Sequence, residues 1–308
     1  MVKFVNFDLH LKNINEIAGS QNVLTDVSLK QYTSFKIGGP AAIMVFPACT
    51  DMLVKTLKYL IENNINRLLI GNGTNLLVSD KGFNGVVIHT AKNMKSVSVE
   101  GEYITAQCGA LMSSIASTAL SHSLSGLEFA SGIPGTLGGA LYMNAGAYDC
   151  NISDIALETK AMDEQGNIIN IVGLGHQFGY RTSCFKSNGL IIVESKLKLS
   201  PSDYDIIKEK MKDLNIKRKT CQPLEFPSAG SVFKRPVGYY AGKLIEDTGL
   251  KGCSIGGACV SEKHAGFIIN KGNATAEDVN RLINHIIEKV YCKYGVVLEP
   301  EIIRIGEF

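Results

Sequence analysis

Apolar positions recur at helical spacing most clearly near the C-terminus. In "TAEDVNRLINHIIEKVYCKYG", Val279, Leu282, Ile283, Ile286, Ile287 and Val290 fall on one stripe. Thr275 and Asp278 form a capping-box start, and Gly295 supplies the stop. A stripe this regular belongs to a core rather than to a cofactor box. A second helical pattern runs through "DMLVKTLKYLIENN", with Leu53, Val54, Leu57, Leu60 and Ile61 on one face and Thr50 as the expected cap. Strand-like runs flank it at "AAIMVF" (41–46) and "RLLIG" (67–71), giving a β-α-β unit. "LLVSDKGFNGVVIHT" predicts two further strands around a glycine-containing turn.

From Lys92 to about Ser200 the period shortens. "YITAQCG", "ALETKAMDEQGNIINIVG" and "GLIIVESKLKLS" read as strands, and "LMSSIASTALSHS" as a helix. The charged segment "SDYDIIKEKMKDLNIKRKT" (202–220) predicts a helix leading into a third region. The chain holds 308 residues, more than one core usually serves, so two or three domains are expected. The expected division is 1–92, 93–205 and 206–297, with a C-terminal strand in 298–308 able to return to the first. No internal repeat is visible.

Composition narrows the function classes. Hydrophobic residues make up 45% and charged residues 19%, which excludes general disorder. Net charge is +2, so there is no bulk field for nucleic acid or a membrane surface, and any anion site must be local. The N-terminal "MVKFVNFDLHLKNINEIAG" mixes charged and apolar residues without the apolar core of a signal peptide, and no run reaches the ~18 apolar residues of a membrane span. Eight cysteines without a C-x-x-C pair read as reduced thiols, and six dispersed histidines offer no metal site. The expected protein is cytoplasmic and metal-free.

Two glycine loops carry the strongest chemical signal. "IGNGTNLLV" places Gly71 and Gly73 after a strand, but Leu76 stands where a dinucleotide fingerprint needs its third glycine, and a strand follows instead of a helix. Such a loop can still turn successive amides inward as an anion nest, with Asn72, Thr74 and Asn75 adding side-chain donors; the plain alternative is a tight turn. In "SGIPGTLGGALYMNAGAY", Gly132, Gly135, Gly138, Gly139 and Gly146 crowd around Pro134, with Thr136 starting a short helix whose first amides would face an anion. Glycine this dense is entropically costly and suits close approach to a ligand. Two such loops, one per expected domain, suit a pyrophosphate gripped between them.

"YTSFKIGGPA" (32–41), "GNGTNLLVSD" (71–80), "GLEFASGIPGTLGGALYMNAGAY" (126–148), "YRTSCFK" (180–186), "QPLEFPSAGSVFKRP" (222–236), "AGKLIEDTGLKG" (241–252) and "KHAGFIIN" (263–270) together resemble the UDP-N-acetylenolpyruvoylglucosamine reductase family, from about Thr25 to the C-terminus. The resemblance implies an α+β fold: a two-subdomain FAD-binding domain of the vanillyl-alcohol-oxidase type, followed by an α+β substrate-binding domain. It implies FAD held non-covalently, because the first glycine loop lacks the histidine that attaches flavin in related oxidases. NADPH is the implied co-substrate, and the enolpyruvyl ether of UDP-N-acetylglucosamine the substrate, reduced to UDP-N-acetylmuramate for peptidoglycan synthesis. A monomer or weak oligomer is expected. The FAD contacts implied are Tyr32, Ile37, Gly38, Gly39, Gly71, Asn72, Gly73, Thr74, Asn75, Leu76, Ser131, Gly132, Pro134, Gly135, Gly138 and Gly139.

Reducing an enol ether leaves negative charge on the carbon beside the carboxylate, so the site needs an acid for that carbon and electrophiles for the enolate. By resemblance Ser231, in the "PSAGS" turn, is the proton donor, while Arg181 and Glu301 stabilise the intermediate, Glu301 with a raised pKa. Read from the residues alone, Ser231 could equally satisfy a turn amide. Glu299 and Glu301 share a strand face and are equivalent candidates; the resemblance favours Glu301. Tyr180, Lys219 and Lys234 are further implied substrate contacts. The chain has Val232 and Arg235 where "GSFFKNP" is commoner in the family. Only Ser187 and Asn188 separate "YRTSCFK" from "GLIIVESKL", implying the shorter family form without a lid tyrosine. Two rival functions are a sugar or alcohol oxidase with the same FAD domain, and a catalytically inactive nucleotide-sugar sensor.

Overall fold

A computed structural model describes residues 7–308. The first six residues of the N-terminal segment read above lie outside them. The chain divides into two compact units, one of residues 7–25, Ala42–Asn72 and Gly85–Ile216, the other of Asp26–Ala41, Gly73–Asn84 and Lys217–Phe308.

The first unit opens on a helix, Phe7–Ala18, that the pattern of polar and apolar residues did not announce. Its buried Ile14 and Ala18, one turn apart, join the same core as Leu53, Leu57 and Leu60 of the helix Thr50–Glu62. Burying each of these leucines contributes about 1.5–3 kcal/mol. Thr50 is not the cap. Cys49 holds the extended cap conformation without a side-chain bond, and Thr50 enters as the first helical residue. The strands Val23–Ser28, Pro40–Val45, Phe83–His89 and Arg67–Ile70 lie in that order in one sheet. The two strands of the β-α-β unit are therefore separated by Phe83–His89, which pairs in parallel with Arg67–Ile70.

A five-stranded antiparallel sheet follows, ordered Ile168–Val172, Ala156–Met162, Ile191–Lys198, Tyr103–Gln107 and Val97–Glu100. The helices Met112–Ser121 and Leu137–Met143 bury Ile115, Ala119, Leu137 and Leu141 in the core this sheet shares. The charged stretch after Ser202 is helical over Tyr204–Cys221.

The second unit has its own core. Ser228–Ser231, Phe267–Asn270, Ala258–Val260 and Ser254–Ile255 form an antiparallel sheet in that order. The helix Ala276–Tyr294 packs on it and buries the expected stripe, with Val279, Leu282, Ile283, Ile286 and Val290 closed off from solvent. Both halves of the capping box form, and Gly295 takes the left-handed stop at φ 68°. The two strands expected around the glycine-containing turn both form, as Leu76–Val78 and Phe83–His89. Leu76–Val78 pairs in parallel with Ile303–Ile305.

Candidate active site

The segment expected to be a "PSAGS" turn is a bulged strand. Ser228 pairs with Ile269 and Ser231 with Phe267, so one extra residue is inserted between the two contacts. A bulge of this kind re-aims the side chain beyond it. Gly230 supplies the necessary left-handed backbone at φ 77°. Past the bulge the chain is clamped from both sides. The Val232 amide donates to the Gly266 carbonyl at 2.9 Å, and the Val232 carbonyl accepts from the Glu301 amide at 2.7 Å. Val232 and Phe233 are buried, whereas Ser231 is exposed and its hydroxyl has no hydrogen-bond partner among the described residues. It does not satisfy a turn amide.

His264 shapes the turn behind this clamp. Its Nδ1 accepts the Gly266 N–H at 3.1 Å, and its ring stands edge-on to Phe267 at 4.9 Å. Burial holds the imidazole below its usual pKa, which keeps Nδ1 available as an acceptor. A side chain at Gly266 would press on that ring.

The two rival glutamates have different surroundings. Lys234 forms an ion pair with Glu299, whose side chain is 68% exposed, and the Lys234 amide donates to the Glu299 carbonyl at 2.9 Å. Glu301 is half-buried on the strand segment bonded to Val232. The Asn75 side chain donates to the Glu301 carbonyl at 3.3 Å, and the Ile303 amide to the Asn75 carbonyl at 2.9 Å. The first glycine loop therefore braces the Glu301 segment.

The side-chain amides of that loop turn inward rather than outward. Asn72 donates to the Pro134 carbonyl at 2.8 Å, as Asn75 does to Glu301. The open donors are in the backbone. None of the five amides from Gly71 to Asn75 donates to an acceptor among the described residues. Gly71 cannot carry a side chain, because a Cβ there would fall on the Thr136 hydroxyl, and Gly73, at φ 61°, would collide with the Tyr32 carbonyl. A run of amides without acceptors among the described residues, on a loop whose two glycines leave no room for a side chain, suits an anionic cofactor. In the same unit as Gly73, the amide of Gly39 donates to the Ser79 carbonyl at 2.9 Å, and the Ile37 amide and carbonyl are both bonded to the buried Thr33 hydroxyl.

The second glycine loop differs from expectation at its helix. Leu137–Met143 forms with Thr136 as cap, its hydroxyl accepting from Gly139 at 3.4 Å. The Leu137 amide goes to the Ala110 carbonyl and that of Gly138 to the Cys108 carbonyl, both at 2.8 Å. These first-turn amides are thus occupied and do not face an anion; the amides of Gly132 and Gly135 have no acceptor among the described residues. Glu128, 3% exposed, anchors the loop by accepting from the Ser125 hydroxyl at 2.7 Å and the Gly126 amide at 2.8 Å. Burial works to raise its pKa, but these bonds and Lys210 at 3.8 Å more than offset it, and the carboxyl stays below the ordinary range. The Ser131 hydroxyl closes the turn on the Glu128 carbonyl and accepts from Asn215.

Tyr180 and Arg181 belong to the first unit, and Lys219, Ser231, Lys234 and Glu301 to the second. Arg181 has a left-handed backbone at φ 57°, and its guanidinium reaches the Asn144 and Gly146 carbonyls at 3.4 and 3.5 Å. It also lies over the Tyr180 ring at 5.2 Å. Asn144 organises this corner. It ends the preceding helix at φ 44°, is 7% exposed, donates to the Gly179 carbonyl at 3.0 Å and accepts from the Ser153 amide at 3.2 Å. Sequence reasoning missed Asn144 and Glu128. A polar residue inside a glycine-dense motif was the available signal in each case. Lys219 is an exposed residue in the last turn of Tyr204–Cys221, and its carbonyl accepts from Lys263.

Residues 222–305 match the family described as "UDP-N-acetylenolpyruvoylglucosamine reductase, C-terminal domain", and residues 41–172 match the "FAD binding domain" family. A UDP-N-acetylenolpyruvoylglucosamine reductase of Caldanaerobacter subterraneus subsp. tengcongensis is 49% identical over 300 residues, covering 97% of this chain and 99% of the relative. The one from Clostridioides difficile is 47% identical over 302 residues, covering 98% and 99%. The crystal structure of the Thermus caldophilus reductase superposes with a TM-score of 0.79 at 32% identity, covering 91% of this chain and 98% of that one. A 4-ethylphenol oxidase from Gulosibacter chungangensis shares only the fold, with a TM-score of 0.50 at 16% identity over 63% of this chain and 43% of its own. The fold class is the expected one, α+β with an FAD-binding domain of the vanillyl-alcohol-oxidase type.

Proposed function

The chain belongs to the UDP-N-acetylenolpyruvoylglucosamine reductase family, and on that basis we propose that it reduces the enolpyruvyl ether of UDP-N-acetylglucosamine to UDP-N-acetylmuramate, with NADPH as reductant and Ser231 as proton donor. This is a step of peptidoglycan synthesis, carried out in the cytoplasm by a monomer or weak oligomer. The open amides of Gly71–Asn75 and of Gly132 and Gly135 fit a non-covalently held FAD pyrophosphate. Bound there, FAD supplies the two-electron relay between NADPH and the double bond.

The protein's own residues then have distinct tasks. Arg181 grips the substrate carboxylate through its two-pronged guanidinium. Glu301 assists the enolate that develops on that carboxylate. Ser231 delivers a proton to the adjacent carbon. A hydroxyl is a weak acid, but a carbanion-like centre is basic enough to take its proton if the oxygen is correctly placed. Lys219, Lys234 and Tyr180 complete the substrate contacts. Lys234, already neutralised by Glu299, contributes less net charge than Lys219.

The observation that carries this reading is the Ser231 hydroxyl itself. It is exposed and without a hydrogen-bond partner among the described residues, on a bulge clamped at Val232 between Gly266 and Glu301. A base-driven oxidase would have no use for that arrangement. The test is anaerobic stopped-flow absorbance of the purified flavoprotein. NADPH should bleach the flavin and the enolpyruvyl ether should restore it. A colourless protein, or a reduced flavin reoxidised by oxygen and not by the ether, would overturn the reading.

A further inference from the structure

Ser34, in the "YTSFKIGG" segment, is bonded to two pieces of the second unit that have different tasks. Its amide donates to the Gly73 carbonyl at 3.1 Å, and its hydroxyl donates to the Ser228 carbonyl at 2.6 Å, with a longer contact to the Gly73 carbonyl at 3.4 Å. Gly73 belongs to the open-amide loop, and Ser228 is the residue from which the Ser231 bulge departs. Ser34 is itself held firmly. Thr33 and Phe35 on either side are buried, and the Phe35 carbonyl accepts from the buried Asn270 at 3.1 Å. The far end of the bulge is fixed by the Val232 clamp, and Ser34 supplies a side-chain bond at the near end. Between the two ends lies Gly230, whose left-handed backbone has open space around it and no side chain to brace it.

We infer that Ser34 is a positioning residue that ties the flavin-binding loop to the proton donor, setting where Ser231 stands relative to that loop. The inference rests on the reading of Ser231 as proton donor. Its logic is mechanical: bonds from the backbone and the side chain of one residue leave the loop and the bulge little freedom to move independently. The backbone and side-chain bonds are also separable. Replacing Ser34 by alanine removes the short hydroxyl bond to Ser228 and the longer one to Gly73, and leaves the backbone bond to Gly73 in place.

The test uses holoenzyme variants Ser34→Ala, Ser34→Cys and Ser34→Thr, with Ser231→Ala as reference. Reduction of the flavin by NADPH should stay within about twofold of the parent in all three Ser34 variants, because Gly73 keeps its amide donor. Reoxidation by the enolpyruvyl ether should fall about tenfold in Ser34→Ala, the effect of losing one well-formed hydrogen bond. Its solvent deuterium isotope effect should rise, since proton transfer becomes the slower event. Ser34→Thr should restore both, and Ser34→Cys, a weak donor of similar size, should fall between. Independently of turnover, amide hydrogen exchange over 226–233 should quicken in Ser34→Ala and not in Ser34→Thr. Equal slowing of both half-reactions, or unchanged exchange together with unchanged reoxidation, would overturn the inference. If Ser231→Ala is slow while Ser34→Ala reoxidises normally, the positioning role alone fails. If Ser231→Ala itself reoxidises like the parent, the proton-donor reading fails and takes this inference with it.

Discussion

The Glu301 amide donates to the Val232 carbonyl at 2.7 Å, so the residue after the candidate proton donor is bonded directly to the glutamate proposed to assist the enolate. The contact joins positions nearly seventy apart in the chain, and it fixes the backbone on which both side chains stand. On the proposed mechanism, Ser231→Ala removes only the proton. Flavin reduction by NADPH should be unchanged, and reoxidation by the enolpyruvyl ether should slow about 10²–10⁴-fold, the usual contribution of a general acid. Ser231→Cys should retain more activity than Ser231→Ala because a thiol still carries a proton. Stopped-flow absorbance separates the two half-reactions, and indistinguishable alanine and cysteine variants would remove the assigned role.

The pairing of Lys234 with Glu299 distinguishes the two glutamates that sequence spacing left equivalent. Glu299 is exposed and already has a cation, and an exposed pair of this kind is worth about 0–1 kcal/mol. Glu299→Gln should therefore leave both half-reactions within about threefold of the parent. Glu301→Gln should slow reoxidation about 10–10³-fold, as expected for loss of a group that stabilises developing charge. A large loss in Glu299→Gln with a mild one in Glu301→Gln would reverse the assignment.

What the sequence made legible was local. Thr275, Asp278 and Gly295 stand within one helix, and the capping box and left-handed stop follow from residues a few positions apart. The bulge at Ser228–Ser231 depends on Phe267 and Ile269, and the clamp at Val232 on Gly266 and Glu301, contacts for which no short-range pattern exists. The same reason explains why the partner of the strand Leu76–Val78, Ile303–Ile305, could not be read from its neighbours. The glycine loops were legible as candidate anion sites, but which donors remain open was not. Whether Asn72 points outward or back to Pro134 is decided by a residue 62 positions away.

Asp278 gives the helix Ala276–Tyr294 a pH-dependent end. Its carboxylate accepts from the Thr275 amide at 3.1 Å and the Gly257 amide at 3.2 Å, and the Thr275 bond is the main reason its pKa lies below the ordinary 3.8. A depressed carboxyl pKa stabilises the fold above the unfolded value, and that stability is lost as pH falls through the folded one. Asp278→Asn should lower the melting temperature at neutral pH by roughly 2–4 °C, the shift expected for a cap worth about 1 kcal/mol in a protein of this size. Thermal melts in acid should bring parent and variant together. A gap that persists unchanged beneath the carboxylate range would mean that the asparagine acts through packing rather than through charge.

Asn144 offers the most discriminating test of how Arg181 is held. Its backbone carbonyl receives the guanidinium, its side chain donates to Gly179 at the start of the Gly179–Arg181 turn, and its left-handed conformation ends the helix. Alanine removes the side-chain bonds and with them the local hydrogen bonding that lets asparagine tolerate the left-handed region, where an ordinary residue costs roughly 1–2 kcal/mol. Glycine removes the same bonds without that cost. Asn144→Gly should therefore fold nearly as stably as the parent while raising the KM for the enolpyruvyl ether, because Arg181 loses a fixed platform. Asn144→Ala should show the same KM effect with a lower melting temperature. Steady-state kinetics alongside thermal melts distinguish the cases. If glycine restores both stability and KM, Asn144 matters only as a helix stop, and Arg181 takes its position from elsewhere.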